Sequence, residues 1–555
     1  MRKLDLALVT TVLLLAIGAG NAPAATRTWQ PTTGTNDWFN PANWNGGTTV
    51  PAAGDDVTIS SNGAALLTNS TPYLGSLTLS KTLIFSNWNT TLSATNVTIQ
   101  SGGFVTLPGA FTTNQMSNNV YFICSSMVIT TGGVINVNGG GYTGGQASAS
   151  SPAGDGFGPG AGLANAYGLG ASHGGRGGGS VTVYANGNWP GATPYDSLTA
   201  PLLPGSGGGG AGASGSSPTG VNIGGSGGGA VRIEAPNGSV VVNGTITANG
   251  TGGPGGGSGG SVYITCRTFD GTNGTISAKG GPGTPSNNSG GHGGGGRIAV
   301  LYDPAFQTAV PTVQFLANPG SLAGQYVAAT RGDPGTICLP DNKFIPATLT
   351  NFFGQVWGFS SLAFGSFTVS NTWVRFPAEG FQLAVTGDLK VLGSSGMLQL
   401  GGGTTNFSWQ CDPRYHSSTA EYWYGPAVSC TTSAPVLNVG GNLILTNGGS
   451  LTVFSAMTNA GPGTTSYGAL VNVTNNVLIG SSSAFYPFSH PTNGGSVWLH
   501  ASNVMVLAGG AINANGKGYL PLLSTHCRRF AELPGGQPDG RKGRDNQCRC
   551  QGFLG

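Results

Sequence analysis

Met127-Val-Ile-Thr-Thr-Gly-Gly-Val-Ile-Asn-Val-Asn-Gly-Gly-Gly-Tyr142 is the stretch whose reading decides the fold. Two short apolar runs, Met127-Val128-Ile129 and Val134-Ile135-Asn136-Val137, are joined by a turn containing Gly132-Gly133. The text returns without a gap at Val504–Tyr519, and both copies contain Gly-Gly-x-Ile-Asn-x-Asn-Gly-x-Gly-Tyr. Related units read Asn96-Val97-Thr98-Ile99, Gly102-Gly103, Phe104-Val105-Thr106-Leu107, with later ones beginning at Asp388, Asn442 and Asn503. A second unit is a glycine run that ends in an alternating strand. It occurs at Gly179, Gly229, Gly260, Gly296 and Gly495, followed in turn by Ser180-Val181, Ala230-Val231, Ser261-Val262, Arg297-Ile298 and Ser496-Val497. Apolar residues recur with a period of two, which is the signature of strands with one buried face. Val, Ile and Leu then point inward, and Thr, Ser and Asn point to water. Glycine at the corners permits the positive φ of a sharp turn. No helical period stands out beyond the N-terminal leader.

Strands at this density without crossover helices leave two architectures: a parallel β-helix, or a string of β-sandwich domains. Adjacent, self-similar repeats favour the β-helix, because each unit buries its apolar face by stacking on its neighbours. The expected fold is therefore an all-β, right-handed parallel β-helix with glycine-rich loops. At ~4.8 Å per coil, roughly 15–20 coils make a rod on the order of 70–100 Å.

Composition limits what such a rod does. Glycine is 101 of 555 residues, against a usual ~7%. Charged residues are 7%, against ~25%, so few ionisable groups are on hand for chemistry. With 38% apolar residues and a net charge of +3 the chain buries a core rather than staying disordered. The whole net charge lies in the last 36 residues, so the body has no basic face to neutralise phosphates, and nucleic acid is not expected as a partner.

At the N-terminus, Arg2-Lys3, the apolar run Leu6–Ile17 and Ala22-Pro23-Ala24 read as a signal peptide cleaved between Ala24 and Ala25. The mature chain is then expected outside the cytoplasm, secreted or at the cell surface. It carries no other run long enough to span a bilayer. The reading divides the chain into a leader (1–24), an N-terminal β capping region (25–110), a glycine-rich β-helix (111–305), further solenoid coils (306–519) and an atypical basic tail (520–555). Trp29, Trp38 and Trp44 suit the cap, since an open solenoid end exposes apolar cross-section and unpaired strand edges. The alternative for these rings is sugar stacking. The tail departs abruptly from the repeat after Tyr519 and holds Cys527, Cys548 and Cys550. It reads as disordered or as a shifted reading frame.

Gly255–Ile264, Ile276–Gly281, Gly293–Val300 and the Trp-rich opening before Asp55-Asp56-Val57-Thr58-Ile59 resemble the glycine-rich β-helical surface proteins of bacteria. These include pectin-lyase-like and autotransporter-passenger-like chains. The resemblance implies the right-handed β-helix, and it transfers no catalytic residue.

The most site-like segment is Cys411–Cys430, which encloses Asp412, Arg414, Tyr415, His416, Glu421, Tyr422, Trp423 and Tyr424. Outside the cytoplasm Cys411 and Cys430 are expected to pair as a disulfide. Tyr415, Glu421, Tyr422, Trp423 and Tyr424 are the ligand candidates, and the alternative is a decorated surface loop. Nine aromatics in residues 352–381 read as a locally thick core, with a ligand platform as the alternative. No catalytic residue, metal site or cofactor is expected. Gly256–Gly260 and Gly291–Gly296 match nucleophile-elbow and dinucleotide patterns trivially, and both precede strands. The glycine runs lack the Asp residues of a calcium roll, and the His residues have no zinc spacing. Arg331-Gly332-Asp333 is too short to carry meaning.

These readings converge on a structural or adhesive surface solenoid that contacts extracellular or cell-surface polysaccharide. The alternatives are a polysaccharide lyase or hydrolase on the same scaffold, and a string of carbohydrate-binding modules. N-terminal sequencing of exported protein should begin at Ala25 or within a residue or two; a mature chain that retains Met1 would refute the leader.

Overall fold

The computed structural model describes residues 24–112, 116–146, 154–164, 167–179, 192–211, 223–283, 290–320, 332–401, 433–456, 467–490 and 495–515. The expected signal peptide, the Cys411–Cys430 segment and the basic tail lie outside them, apart from Ala24 at the end of that expected leader.

Among the described residues the chain is a parallel β-helix, with a 23-stranded and a 9-stranded sheet. Every ladder between strands is parallel: Thr26–Thr28 lies on Asp56–Ile59, that on Leu74–Leu79, then Leu92–Ile99, then Val120–Ile129. β-Sandwiches are built of antiparallel sheets, so the sandwich alternative fails on this register. In the first half, long strands turn a corner within themselves. Ala230–Val242 pairs with Val120–Ile129 at Glu234↔Ile123, breaks register, and resumes at Val240↔Met127. A short strand such as Val134–Asn136 then closes the coil as a further wall. In the second half several coils use three separate strands: Ser361–Phe364, Phe367–Ser370 and Trp373–Phe376, followed by Gln382–Val385, Leu389–Leu392 and Met397–Leu400. The last described coils return to long strands, Ala469–Ile479 and Val497–Val506. Phe352–Trp357 links the halves, because its Phe352-Phe353 end continues one wall and its Gln355–Trp357 end another.

Alternation selects the interior. Ile59, Leu79, Ile99, Ile129 and Val242 stack in register, and all are fully buried. Val105, Ile135, Ile246, Ile276 and Phe315 form a second inward column on another wall. Each such side chain contributes about 1.5–3 kcal/mol by leaving water. The aromatics of 352–381 mostly join this interior: Phe352, Phe367, Phe376 and Phe381 are buried in the main core, with Phe376 and Phe381 stacked at 4.9 Å. At the N-terminal end, Trp38 and Trp44 meet edge-to-face at 4.8 Å, as do Trp29 and Trp44 at 5.0 Å. The Trp29 and Trp44 indole N–H groups donate to the carbonyls of Gly63 and Trp38, each at 2.7 Å. All three rings are at most 1% exposed, so none is open to stack on a sugar.

The Gly-Gly corner has two separate causes. Gly132 takes φ +83°, which L side chains rarely adopt. Gly133 has an ordinary φ, but a Cβ there would sit 2.5 Å from the Ile99 carbonyl of the coil beneath. The first glycine turns the chain and the second lets the coils touch. Gly102-Gly103, Gly448-Gly449 and Gly509-Gly510 repeat the arrangement.

The long glycine runs form a layer of their own beside the strands. In Gly255–Gly260 the backbone donors rotate through three directions. Gly255 and Ser258 reach Gly209 and Ser206, Gly256 and Gly259 reach Gly291 and Gly294, and Gly257 and Gly260 reach Thr251 and Ala248, at 2.7–3.0 Å. The neighbouring run repeats the rule, with Gly291 and Gly294 donating to Gly168 and Ala171, and Gly293 and Gly296 to Gly281 and Ala278. A three-residue period is that of the polyproline II helix, which has no internal hydrogen bonds and so offers every N–H to a neighbour. The segments thus pack as a hydrogen-bonded bundle, not as strands. Buried backbone must be paired, and here the pairing requires chains too close for side chains: a Cβ on Gly257 would lie 2.1 Å from the Ser226 carbonyl.

Gly257→Ala should therefore destabilise the protein by about 1–3 kcal/mol, as overpacking does. Gly109→Ala, with nothing within 4 Å of its added Cβ, should stay within about 0.5 kcal/mol. Denaturant unfolding of the two variants checks the pair.

Candidate functional site

The ligand candidates Tyr415, Glu421, Tyr422, Trp423 and Tyr424, and the Cys411–Cys430 pair, lie outside the described residues. The polar clusters that the structure assembles come from elsewhere in the chain, and sequence spacing gave no hint of them.

The first is inside the glycine bundle. His173 is fully buried; its Nδ1 lies 2.8 Å from the Gly259 carbonyl and its Nε2 3.5 Å from Asp196 Oδ2. The Asp196 carboxylate accepts the N–H groups of Leu203 and Ser197 at 2.8 and 2.7 Å, and the Ser261 hydroxyl, which donates to the Leu203 carbonyl at 2.6 Å, lies 3.4 Å from it. Tyr195 packs on the His173 ring at 4.6 Å and accepts a hydrogen bond from Ser206 at 2.9 Å. Arg297 donates Nε to the Tyr195 carbonyl at 2.8 Å and Nη1 to Thr336 at 3.1 Å. Burial by itself pushes the Asp196 carboxyl up. The His173 hydrogen bond and charge, with the two backbone N–H groups, outweigh it and hold the carboxyl below its ordinary value. Burial raises the Tyr195 phenol well above its ordinary range.

The cluster contains Ser, His and Asp, yet its geometry is not that of a nucleophile relay. A relay needs the serine within hydrogen-bond reach of the imidazole, with the carboxylate on the ring's other nitrogen. Here Ser261 and His173 both lie beside Asp196, and the other imidazole nitrogen faces a carbonyl. His173 and Ser261 are both fully buried. What the cluster does is mechanical: it ties His173, Tyr195, Asp196 and Ser206 to the strands at Ser261 and Arg297.

The second cluster is on the outer wall. Tyr121, Arg232 and Tyr263 are in register on adjacent coils. Glu234 accepts Arg232 Nε at 2.8 Å and the Tyr121 hydroxyl at 3.0 Å, and the guanidinium covers the Tyr121 ring at 4.2 Å. Tyr263 packs toward Ala299, Cys338, Trp357 and Leu198. The charges compensate each other, and the Tyr121 face is occupied. Burial pushes the thiols of Cys124 and Cys266 up to about 12, and that of Cys338 up to about 11, which leaves them protonated and unreactive. Among the described residues no three His, Cys, Asp or Glu side chains gather as a metal would require.

Residues 43–123 match the G8 domain family, a domain type that is typically extracellular. The match is a minor part of the chain, and it covers the coils that precede the glycine bundle, from the end of the Trp-rich turn to the start of Val120–Ile129. No curated protein and no solved structure matches the chain. No helix among the described residues is long and apolar enough to cross a membrane.

Because Asp196 titrates lower in the folded state than its ordinary 3.8, it stabilises the fold at neutral pH. That contribution is lost as pH falls from the unfolded value through the lower folded one. Asp196→Asn should lower stability at pH 7 by about 1–3 kcal/mol, the cost of weakening the buried hydrogen bonds that the carboxylate accepts. It should also flatten the acid limb of the stability curve. Thermal melts of both proteins between pH 2 and pH 7 test this.

Proposed function

We propose that this protein is a secreted or cell-surface structural and adhesive β-solenoid, in which the coils form a stiff spacer whose outer walls contact polysaccharide. The observation that carries the reading is how the ionisable groups are spent. His173 with Asp196, Arg232 with Glu234, and Arg27 with Asp55 at 2.9 Å are committed to holding the rod together. Glycan depolymerases need a free acid and base, or a base with a cation, converging on one bond. The extracellular character of G8 domains supports the location, and the leader ending at Ala24 supports export. The likeness to pectin-lyase-like and autotransporter-passenger-like surface proteins supports the class. The Cys411–Cys430 loop, with Tyr415, Glu421, Tyr422, Trp423 and Tyr424, is one proposed point of glycan contact.

A rod of this kind should leave polysaccharides intact. Purified full-length protein, incubated with neutral and uronate-containing polysaccharides, should release neither reducing ends nor unsaturated products above a heat-treated control. Sustained product release would replace this reading with a lyase or hydrolase on the same scaffold.

A further inference from the structure

One outer wall of the C-terminal coils carries a surface that the rod itself does not need. In Val497–Val506, Val497 and Leu499 pair with the fully buried Ala469 and Val471 and so take the inward positions. Trp498 and His500 consequently face outward. In-register pairing extends both columns down the wall: Val436, Leu470 and Trp498 form one, and Asn438, Asn472 and His500 form the other. The result is an apolar strip beside a polar strip across three adjacent coils.

Three features separate this surface from ordinary solvent-facing strand. Trp498, on the last described coil, faces outward and is 48% exposed. Tyr467 meets it edge-to-face at 5.7 Å and fixes the ring's attitude while leaving this area open. The polar column is built from amides and an imidazole, with His500 Nδ1 3.0 Å from Asn472 Oδ1 and Asn438 exposed. Finally, the strands Gln382–Val385, Val436–Val439, Ala469–Ile479 and Val497–Val506 contain no Lys, Arg, Asp or Glu.

We infer that this wall is a binding site for a neutral glycan, lying along the solenoid axis with a pyranose ring on Trp498 and its hydroxyls on Asn438, Asn472 and His500. A pyranose has an apolar C–H face and a polar rim of hydroxyls that both donate and accept. An open indole beside amide groups presents the complementary pair of surfaces. The absence of charge disfavours an anionic chain, which would lose water without gaining a cation. The Asn438-to-His500 column covers roughly 9–10 Å over two strand spacings, about the reach of two linked sugar rings. The site deepens the proposed polysaccharide contact and rests on it.

Affinity electrophoresis of the full chain tests it, in native gels containing galactomannan, xyloglucan, mixed-linkage β-glucan or polygalacturonate. Retardation is expected in at least one neutral gel and not in polygalacturonate. Trp498→Ala should weaken it at least tenfold and Asn472→Ala several-fold, while Trp498→Phe keeps part of it. Asn438→Ala, at an exposed position, serves as a second variant should Trp498→Ala melt early. No retardation in any neutral gel, retention by polygalacturonate alone, or unchanged binding in both the Trp498→Ala and Asn438→Ala variants would overturn the inference. Product release in the turnover assay bears on the structural reading independently, so the two can fail separately.

Discussion

Main-chain hydrogen bonding between successive coils is the constraint on which the rest of this structure depends. Each coil must satisfy its N–H and C=O groups on the coil above and the coil below. Neighbouring coils are therefore held to one spacing and one cross-section. Once that holds, a residue at a given register lies over its equivalent, and Ile59, Leu79, Ile99, Ile129 and Val242 become one column rather than five separate burials. The same constraint explains why the corner glycines come in pairs. A turn needs one residue with φ > 0, and close stacking needs a second with no Cβ, as Gly132 and Gly133 show.

The glycine bundle answers the same requirement with a different lattice. Strands bond in two directions within a sheet and leave two faces to be covered by side chains. The runs around Gly255–Gly260 and Gly290–Gly296 bond in three directions and leave no room for a Cβ at glycines such as Gly257 and Gly293. Such a layer gains little from hydrophobic burial, and ordering glycine carries a large entropic cost. It needs pins. His173, Asp196, Tyr195, Ser206, Ser261 and Arg297 supply them where the bundle meets the strands, which accounts for a buried polar cluster in so charge-poor a chain.

The division of labour among polar groups bears on function. Where charges occur among the described residues, many are spent in pairs or covered by rings, as with Arg232, Glu234 and Tyr121. The described strands of the wall with exposed Trp498 contain no Lys, Arg, Asp or Glu, and Tyr467 packs against its indole edge-to-face. Residues 43–123 match the G8 domain, a domain type that is typically extracellular.

The sequence by itself determined the strands, their alternation and their stacking, because a period of two and a recurring Gly-Gly corner are local properties that each coil repeats. Val134–Asn136 and the strands opening at Ala230, Ser261, Arg297 and Val497 could all be read from the text alone. The three-directional bundle was not legible, since glycine runs look alike whether they loop through solvent or pack, and only the neighbours of Gly257 distinguish the two. Nor was the His173–Asp196 pair or the Trp498 wall. Their members are scattered in sequence, and Asn438, Asn472 and His500 meet only because coils of unequal length return to the same register. Local pattern dictates which way a side chain points; which residues it stands beside is decided by the stack, because register is a property of two coils at once.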